Sequence, residues 1–205
     1  MYAKIYLFTY ALFVATMFVL PLFSFEGYTI TKNTISELGS QKTSGNWFAN
    51  LAVILLSFAV VSLGTKQLRP FWKQLAALYF FSVCFFLTGV YQLAGLDAHT
   101  YIFNYTDDAL HSLFSMLTSF AFCLFCFTFI FIVEKRNHKW QTFVALALSL
   151  ILPLLIFLYP EYRGIHQRIL FLGAFGWLFY AFALYTFKKQ VSTTSRMKRY
   201  KKQKK

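Results

Sequence analysis

Charge is what this sequence lacks. Only 13% of its 205 residues are Asp, Glu, Lys or Arg, about half the share of a soluble domain. Acid is scarcer still, with 7 Asp and Glu against 20 Lys and Arg. So little polar surface cannot cover a core in water, and a soluble globular domain is excluded. Three cysteines, an odd number, exclude a disulfide scaffold, and nine glycines exclude a collagen-like chain. The chain has no internal repeat, no glycine-rich phosphate loop and no H-E-x-x-H or H-x-x-x-H spacing.

Apolar residues are abundant instead. They make up 58% of the chain, and 27 are Phe, which excludes intrinsic disorder. Six stretches are long enough for a hydrocarbon core that needs roughly 20 helical residues. They run from about Ile5 to Phe25, Asn46 to Thr65, Gln74 to Leu96, Ala109 to Val133, Gln141 to Tyr159 and Arg168 to Phe187. The runs are continuous rather than alternating, which predicts helices. The first is longer than a signal-peptide core and is read as a span. The expected fold is all-α: a polytopic bundle of six transmembrane helices over residues 1–189. A basic tail, 190–205, is expected to be disordered or bound to the membrane surface.

Orientation follows from Lys and Arg. Sixteen of the twenty fall in the N-terminus, the second and fourth connections and the tail, and four in the alternating loops. Both termini are therefore expected in the cytoplasm, in a multi-pass protein of the inner membrane. The tail needs no nucleic-acid partner, since no groove-reading module accompanies it. It is suited to anionic lipid. Cys84, Cys123 and Cys126 lie inside spans, and helix packing accounts for them.

The few acids are unevenly placed. Glu26, Glu37, Asp97, Asp107, Asp108 and Glu161 fall on the outer side with His99, His111 and His166, and only Glu134 falls inside. Any chemistry is expected at that outer face. Thr34 and Glu37 have capping-box spacing, so Glu37 either caps a short helix or faces a cavity beside Ser36. Asp107 or Asp108 suits a helix N-cap. His111 follows them by four and three residues, so all three share a helix face. It also enters apolar surroundings, where an ionisable group normally finds a partner. Arg168 opens the last span, where the helix dipole disfavours a cation. Its expected counter-ion is Glu37, Asp107, Asp108 or a lipid phosphate, and Gln167 beside it offers both donor and acceptor. A zinc site would have to gather His99, His111 and His166 from separate loops.

Several of these residues carry a resemblance. Asn33-Thr34-Ile35-Ser36-Glu37-Leu38-Gly39 and then Asn46 to Asn50 resemble the N-x-I-S-[DE]-L-G…N-x-x-x-N signature of a small prokaryotic membrane family. That family is catalogued as domain of unknown function nine-nine-eight. His111-Ser112-Leu113, Gly164-Ile165-His166-Gln167-Arg168 and Trp177 are similar to it as well. The resemblance covers nearly the whole chain except the tail. It implies a six-helix bundle and a shared polar set of Ser36, Glu37, His111, Gln167 and Arg168. A fainter similarity links Ser36-Glu37-Leu38-Gly39 to the Frag1/DRAM/Sfk1 membrane proteins, without the proline that usually follows in them.

Three functions fit. The leading one is an outer pocket for a lipid head group or similar amphiphile, with Arg168, Gln167 and Ser36 binding it and Glu37 and His111 completing the site. The second is a hydrolase or transferase on a lipid-like substrate, with His111 as base, Glu37 or Asp108 orienting it, and zinc optional. The third is an accessory or scaffold subunit, and a protein partner or homo-oligomer is compatible with all three. A transporter is disfavoured because no ionisable residue lies at mid-span.

Overall fold

A computed structural model describes residues 1–95, 103–185 and 187. Helix α1 (Tyr2–Val19) continues into a 3-10 turn, Leu20–Phe23, and α2 is a single turn, Ile35–Leu38. Then come α3 (Asn46–Leu68), α4 (Trp72–Val90), α5 (Tyr105–Phe129) and α6 (Arg136–Leu158). A second 3-10 turn, Pro160–Tyr162, leads into α7 (Arg163–Leu184). All but α2 are long and apolar enough to cross a bilayer, at 19 to 25 residues with the 3-10 turns included. At 1.5 Å per residue they measure about 28–38 Å, against a hydrocarbon core of about 30 Å. The chain is thus an all-α, multi-pass membrane protein.

Each spanning helix packs on its neighbours in sequence, and α1 packs on α7, which closes the ring. Helix α7 also reaches α3 across it. Aromatic rings fill the middle: Phe13, Phe81, Phe85, Phe122, Phe125 and Phe175 are all buried. The Phe85 and Phe175 rings lie 4.9 Å apart in a tilted pair, a contact worth about 0.5–1.5 kcal/mol beyond its buried area. Other apolar side chains face outward, including Phe8, Phe58, Met116, Phe120 and Phe157. Such surfaces suit hydrocarbon, not water. Several polar groups on the spans bond within the protein: Tyr6 Oη donates to the Phe175 carbonyl at 2.8 Å, and Gln74 Nε2 to the Thr128 carbonyl at 3.0 Å.

Helix starts differ from the hydropathy pattern, for local reasons. Helix α5 opens at Tyr105 rather than near Ala109 because Asn104 takes the N-cap. Its Oδ1 accepts from the Thr106 and Asp107 amides at 3.1 and 3.2 Å. Asp107 and Asp108 therefore stand in the first turn, not at the cap. Helix α6 opens at Arg136 rather than Gln141, and α4 stops at Val90. Helix α7 opens at Arg163, which puts Arg168 in its second turn instead of at its mouth.

The connections sort onto two ends. Lys4, Lys66, Arg69, Lys73, Lys135, Arg136 and Lys139 lie at the end formed by the α3–α4 and α5–α6 connections and the start of α1, here the basic end. The opposite end carries segment 24–45, which folds over the bundle as a lid.

Candidate functional site

The lid is built around one turn of helix. Thr34 Oγ1 accepts from the Glu37 amide at 3.3 Å, and Glu37 Oε2 accepts from the Thr34 amide at 2.8 Å, a complete capping box. The carboxylate has further partners. Asn33 Nδ2 donates to Oε2 at 3.0 Å, and Arg163 Nη2 lies 2.5 Å from Oε1. Glu37 is buried, and its side chain is engaged by the lid and α7 together. No hydrogen bond joins it to His111 among the described residues.

Arg168 is 2% exposed, and no carboxylate among the described residues meets it. Nε donates to the Met17 carbonyl at 3.2 Å, and Nη1 faces the carbonyls of Ile30, Asn33 and Gly164 at 2.8–3.0 Å. Nη2 donates to Tyr28 Oη at 2.8 Å. None of the expected carboxylates, Glu37, Asp107 or Asp108, meets it; oxygens of α1, the lid and α7 itself do. Tyr28 passes the contact on, donating to the Thr34 carbonyl at 2.8 Å. Burial pushes the Tyr28 phenol above its usual range, while the Arg168 guanidinium pulls it the other way.

Backbone closeness makes this possible. The Gly164 amide donates to the Thr31 carbonyl at 2.9 Å, which caps the start of α7. A Cβ on Gly164 would stand 2.3 Å from the Ile30 carbonyl oxygen and 2.4 Å from that of Asn33. Gln167 completes the seam: Oε1 accepts from the Ile35 amide at 2.5 Å, and Nε2 lies 3.5 Å from Ser36 Oγ. On the other side Asn50 Nδ2 donates to the Gly39 carbonyl at 3.0 Å, and Asn46 Nδ2 to the Ser40 carbonyl at 3.1 Å. Those asparagines, four apart on one face of α3, hold the far edge of the lid.

Beneath the lid lies a cavity of about 30 Å³, room for about one water. Its polar walls are Ser36, Asn50, Thr88 and His111, and Phe85 and Phe171 are among its apolar ones. His111 is buried and fixed by one ring nitrogen. Nδ1 lies 3.0 Å from the Thr88 carbonyl and 2.9 Å from that of Tyr91, at the C-terminal end of α4. Carbonyls only accept, so Nδ1 must carry a proton. The neutral ring then has its lone pair on Nε2, which has no hydrogen-bond partner among the described residues.

The other candidates stand apart from that ring. Asp108 Oδ1 accepts from the Ala94 amide at 2.8 Å, which ties the end of α4 to α5, and it makes no hydrogen bond to His111. His166 Nδ1 is buried without a partner among the described residues. His99 and Asp97 lie outside the described residues. Among those described, no three His, Cys, Asp or Glu side chains gather to hold a metal.

Some contributors are absent from the candidates read off the sequence. Arg163 and Tyr28 act as partners rather than as motif members, and Thr88 carried no signal beyond being polar near a span end. Asn50 was visible only through the family signature. No curated protein matches the chain, and no solved structure does. Residues 9–184 do match the family described as "Protein of unknown function (DUF998)", and the chain belongs to that family.

Proposed function

We propose that this membrane protein binds the hydroxyl end of a neutral amphiphile in the cavity beneath its lid. One observation carries the reading: both carbonyls that hold His111 take Nδ1, which leaves Nε2 as an acceptor beside the cavity wall. The other groups lean the same way. Thr88 Oγ1 already donates to the Phe85 carbonyl at 2.7 Å, and Asn50 Nδ2 to Gly39. Thr88 thus offers inward only lone pairs, while Asn50 keeps its carbonyl oxygen and a second amide hydrogen, and Ser36 adds a hydroxyl of either polarity. An acceptor-rich, uncharged cavity of water size favours a donor such as a hydroxyl and disfavours phosphate. In this reading His111 and Ser36 bind the ligand, while Arg168, Gln167 and Glu37 position the lid.

The sixteen-to-four distribution of Lys and Arg supports the orientation that goes with it. The basic end and both termini face the cytoplasm, the lid faces outward, and the membrane is the inner, cytoplasmic one. The ligand then comes from the outer leaflet.

A second reading shares the same atoms. Nε2 beside a cavity that also holds the Ser36 hydroxyl is the arrangement of a general base near a nucleophile. Ester cleavage in a neutral lipid would follow, with two backbone carbonyls orienting the imidazole in place of Glu37 or Asp108.

Photoactivatable diacylglycerol, added to the purified protein, tests both. Labelling is expected on α2 and the first turns of α3 and α5, with Ser36→Ala and His111→Ala each reducing it about five-fold or more. Phosphatidylglycerol carrying the same photoactivatable group should not label these turns. Undiminished labelling in both variants, or none in the parent protein, would overturn the binding reading. Released fatty acid that vanishes in both variants would favour the second.

A further inference from the structure

The opposite end of the molecule carries a separate site. Helices α6 and α7 part along their outer side to form a groove of about 510 Å³. Val144, Leu148 and Leu152 line one wall, and Ile169, Gly173 and Tyr180 the other. A Cβ on Gly173 would meet nothing within 4 Å, so the groove is open there and not filled by a neighbour. Along α6 it extends from Trp140 to Leu152, about 18 Å at the helical rise. One leaflet of the hydrocarbon core is about 15 Å deep, so the groove has the length of one acyl chain.

Its mouth lies at the basic end. Trp140 borders the groove and also a second recess, of about 250 Å³, whose walls include Arg136 and Lys139. The ion pair found among the described residues, Arg163 with Glu37, is at the lid end, so neither of these cations is matched by a carboxylate there. An apolar slot of leaflet depth, with a guanidinium and an ammonium in the recess across Trp140 from it, matches a phosphate head with a chain below it.

We infer that the α6–α7 groove holds an anionic phospholipid from the leaflet on the basic side, its chain between Leu148 and Gly173 and its phosphate on Arg136 and Lys139. A second copy of the chain fits less well. Inserted with the same orientation, it would bring its own cations to the level of Arg136 and Lys139, and like charges would meet. The site shares no residue with the cavity beneath the lid, so the two readings stand or fall separately.

Tryptophan fluorescence tests it on the full chain. In the Trp47→Phe, Trp72→Phe background the remaining indoles, Trp140 and Trp177, both border the groove. The protein is placed in phosphatidylcholine vesicles containing a small, equal fraction of brominated phosphatidylglycerol or brominated phosphatidylcholine. The anionic lipid is expected to quench several-fold more. Arg136→Gln with Lys139→Gln should erase that preference, and Arg69→Gln, at the same end but outside the recess, should keep it. Gly173→Leu, projecting into open space, should lower quenching by both lipids without lowering the unfolding temperature. Equal quenching by the two lipids, or a preference that survives the double substitution, would overturn the inference. So would a cross-linked dimer that Gly173→Leu abolishes while lipid charge has no effect.

Discussion

Arg163, not Arg168, is the cation that meets Glu37. Its Nη2 lies 2.5 Å from Glu37 Oε1, whereas the Arg168 guanidinium, five residues further along α7, is spent on backbone carbonyls and Tyr28. The two arginines thus divide the work: Arg163 holds the helical turn of the lid and, through Nε at 2.9 Å, the Lys32 carbonyl, while Arg168 holds the Ile30 and Asn33 carbonyls on either side of it.

That division predicts unequal penalties. Arg168→Lys replaces a planar fork by a point charge and leaves buried carbonyls without donors. It should cost about 3 kcal/mol or more, together with faster proteolysis within 24–45. In a double-mutant cycle, Glu37→Gln and Arg163→Gln should couple by only about 1 kcal/mol, because the Arg163 side chain is 37% exposed and water screens the pair. Thermal unfolding in detergent measures both. A stable Arg168→Lys protein would return Arg168 to the ligand-binding role expected of it at the outer face.

Two glycines of α7 should respond oppositely to the same methyl group. Gly164→Ala drives a Cβ into the Ile30 and Asn33 carbonyls, which must move the lid and should destabilise the protein by about 1–3 kcal/mol. Gly173→Ala meets open space and should be neutral or slightly stabilising, since alanine favours the helix. Equal melting temperatures for the two variants would contradict the close approach of the lid to α7.

Alkaline pH should loosen the lid. The Tyr28 phenol has its pKa raised above the ordinary phenol value in the folded protein, chiefly by burial. Its contribution is therefore fully present below about pH 10 and is lost as pH rises through the folded value, where the unfolded chain binds fewer protons. Protease sensitivity of segment 24–45 should rise in that window. Tyr28→Phe should flatten the rise while lowering stability at neutral pH through the lost Arg168 contact. A parallel pH profile in the variant would rule Tyr28 out as the group responsible.

What could be read in the letters was local. Hydropathy revealed six helices, and the Thr34–Glu37 spacing revealed the capping box, because both depend on residues a turn or so apart. The partners of Arg168 were invisible for a physical reason: backbone carbonyls are present at every position and leave no mark in a sequence. The start of α5 moved for a related one, since hydropathy reports the apolar run and not the cap at Asn104. Gly164 stood in a recognised motif, yet only the fold reveals that three carbonyls crowd it. His111 was marked by its place in an apolar stretch, and its orientation by α4 carbonyls needed the third dimension.

The lid also sets an order of assembly. Its anchors are far along the chain: Tyr28 and Arg168 are 140 residues apart, Glu37 and Arg163 are 126. Chains emerge N-terminus first at about 5–20 residues per second, so at least six seconds or so separate synthesis of the lid from that of its clasp. Throughout that interval Glu37 has no cation, and the Thr31 carbonyl has no helix to cap. The sixth span is the one that shuts the first loop, so a closed lid signals that all six of these helices have been inserted.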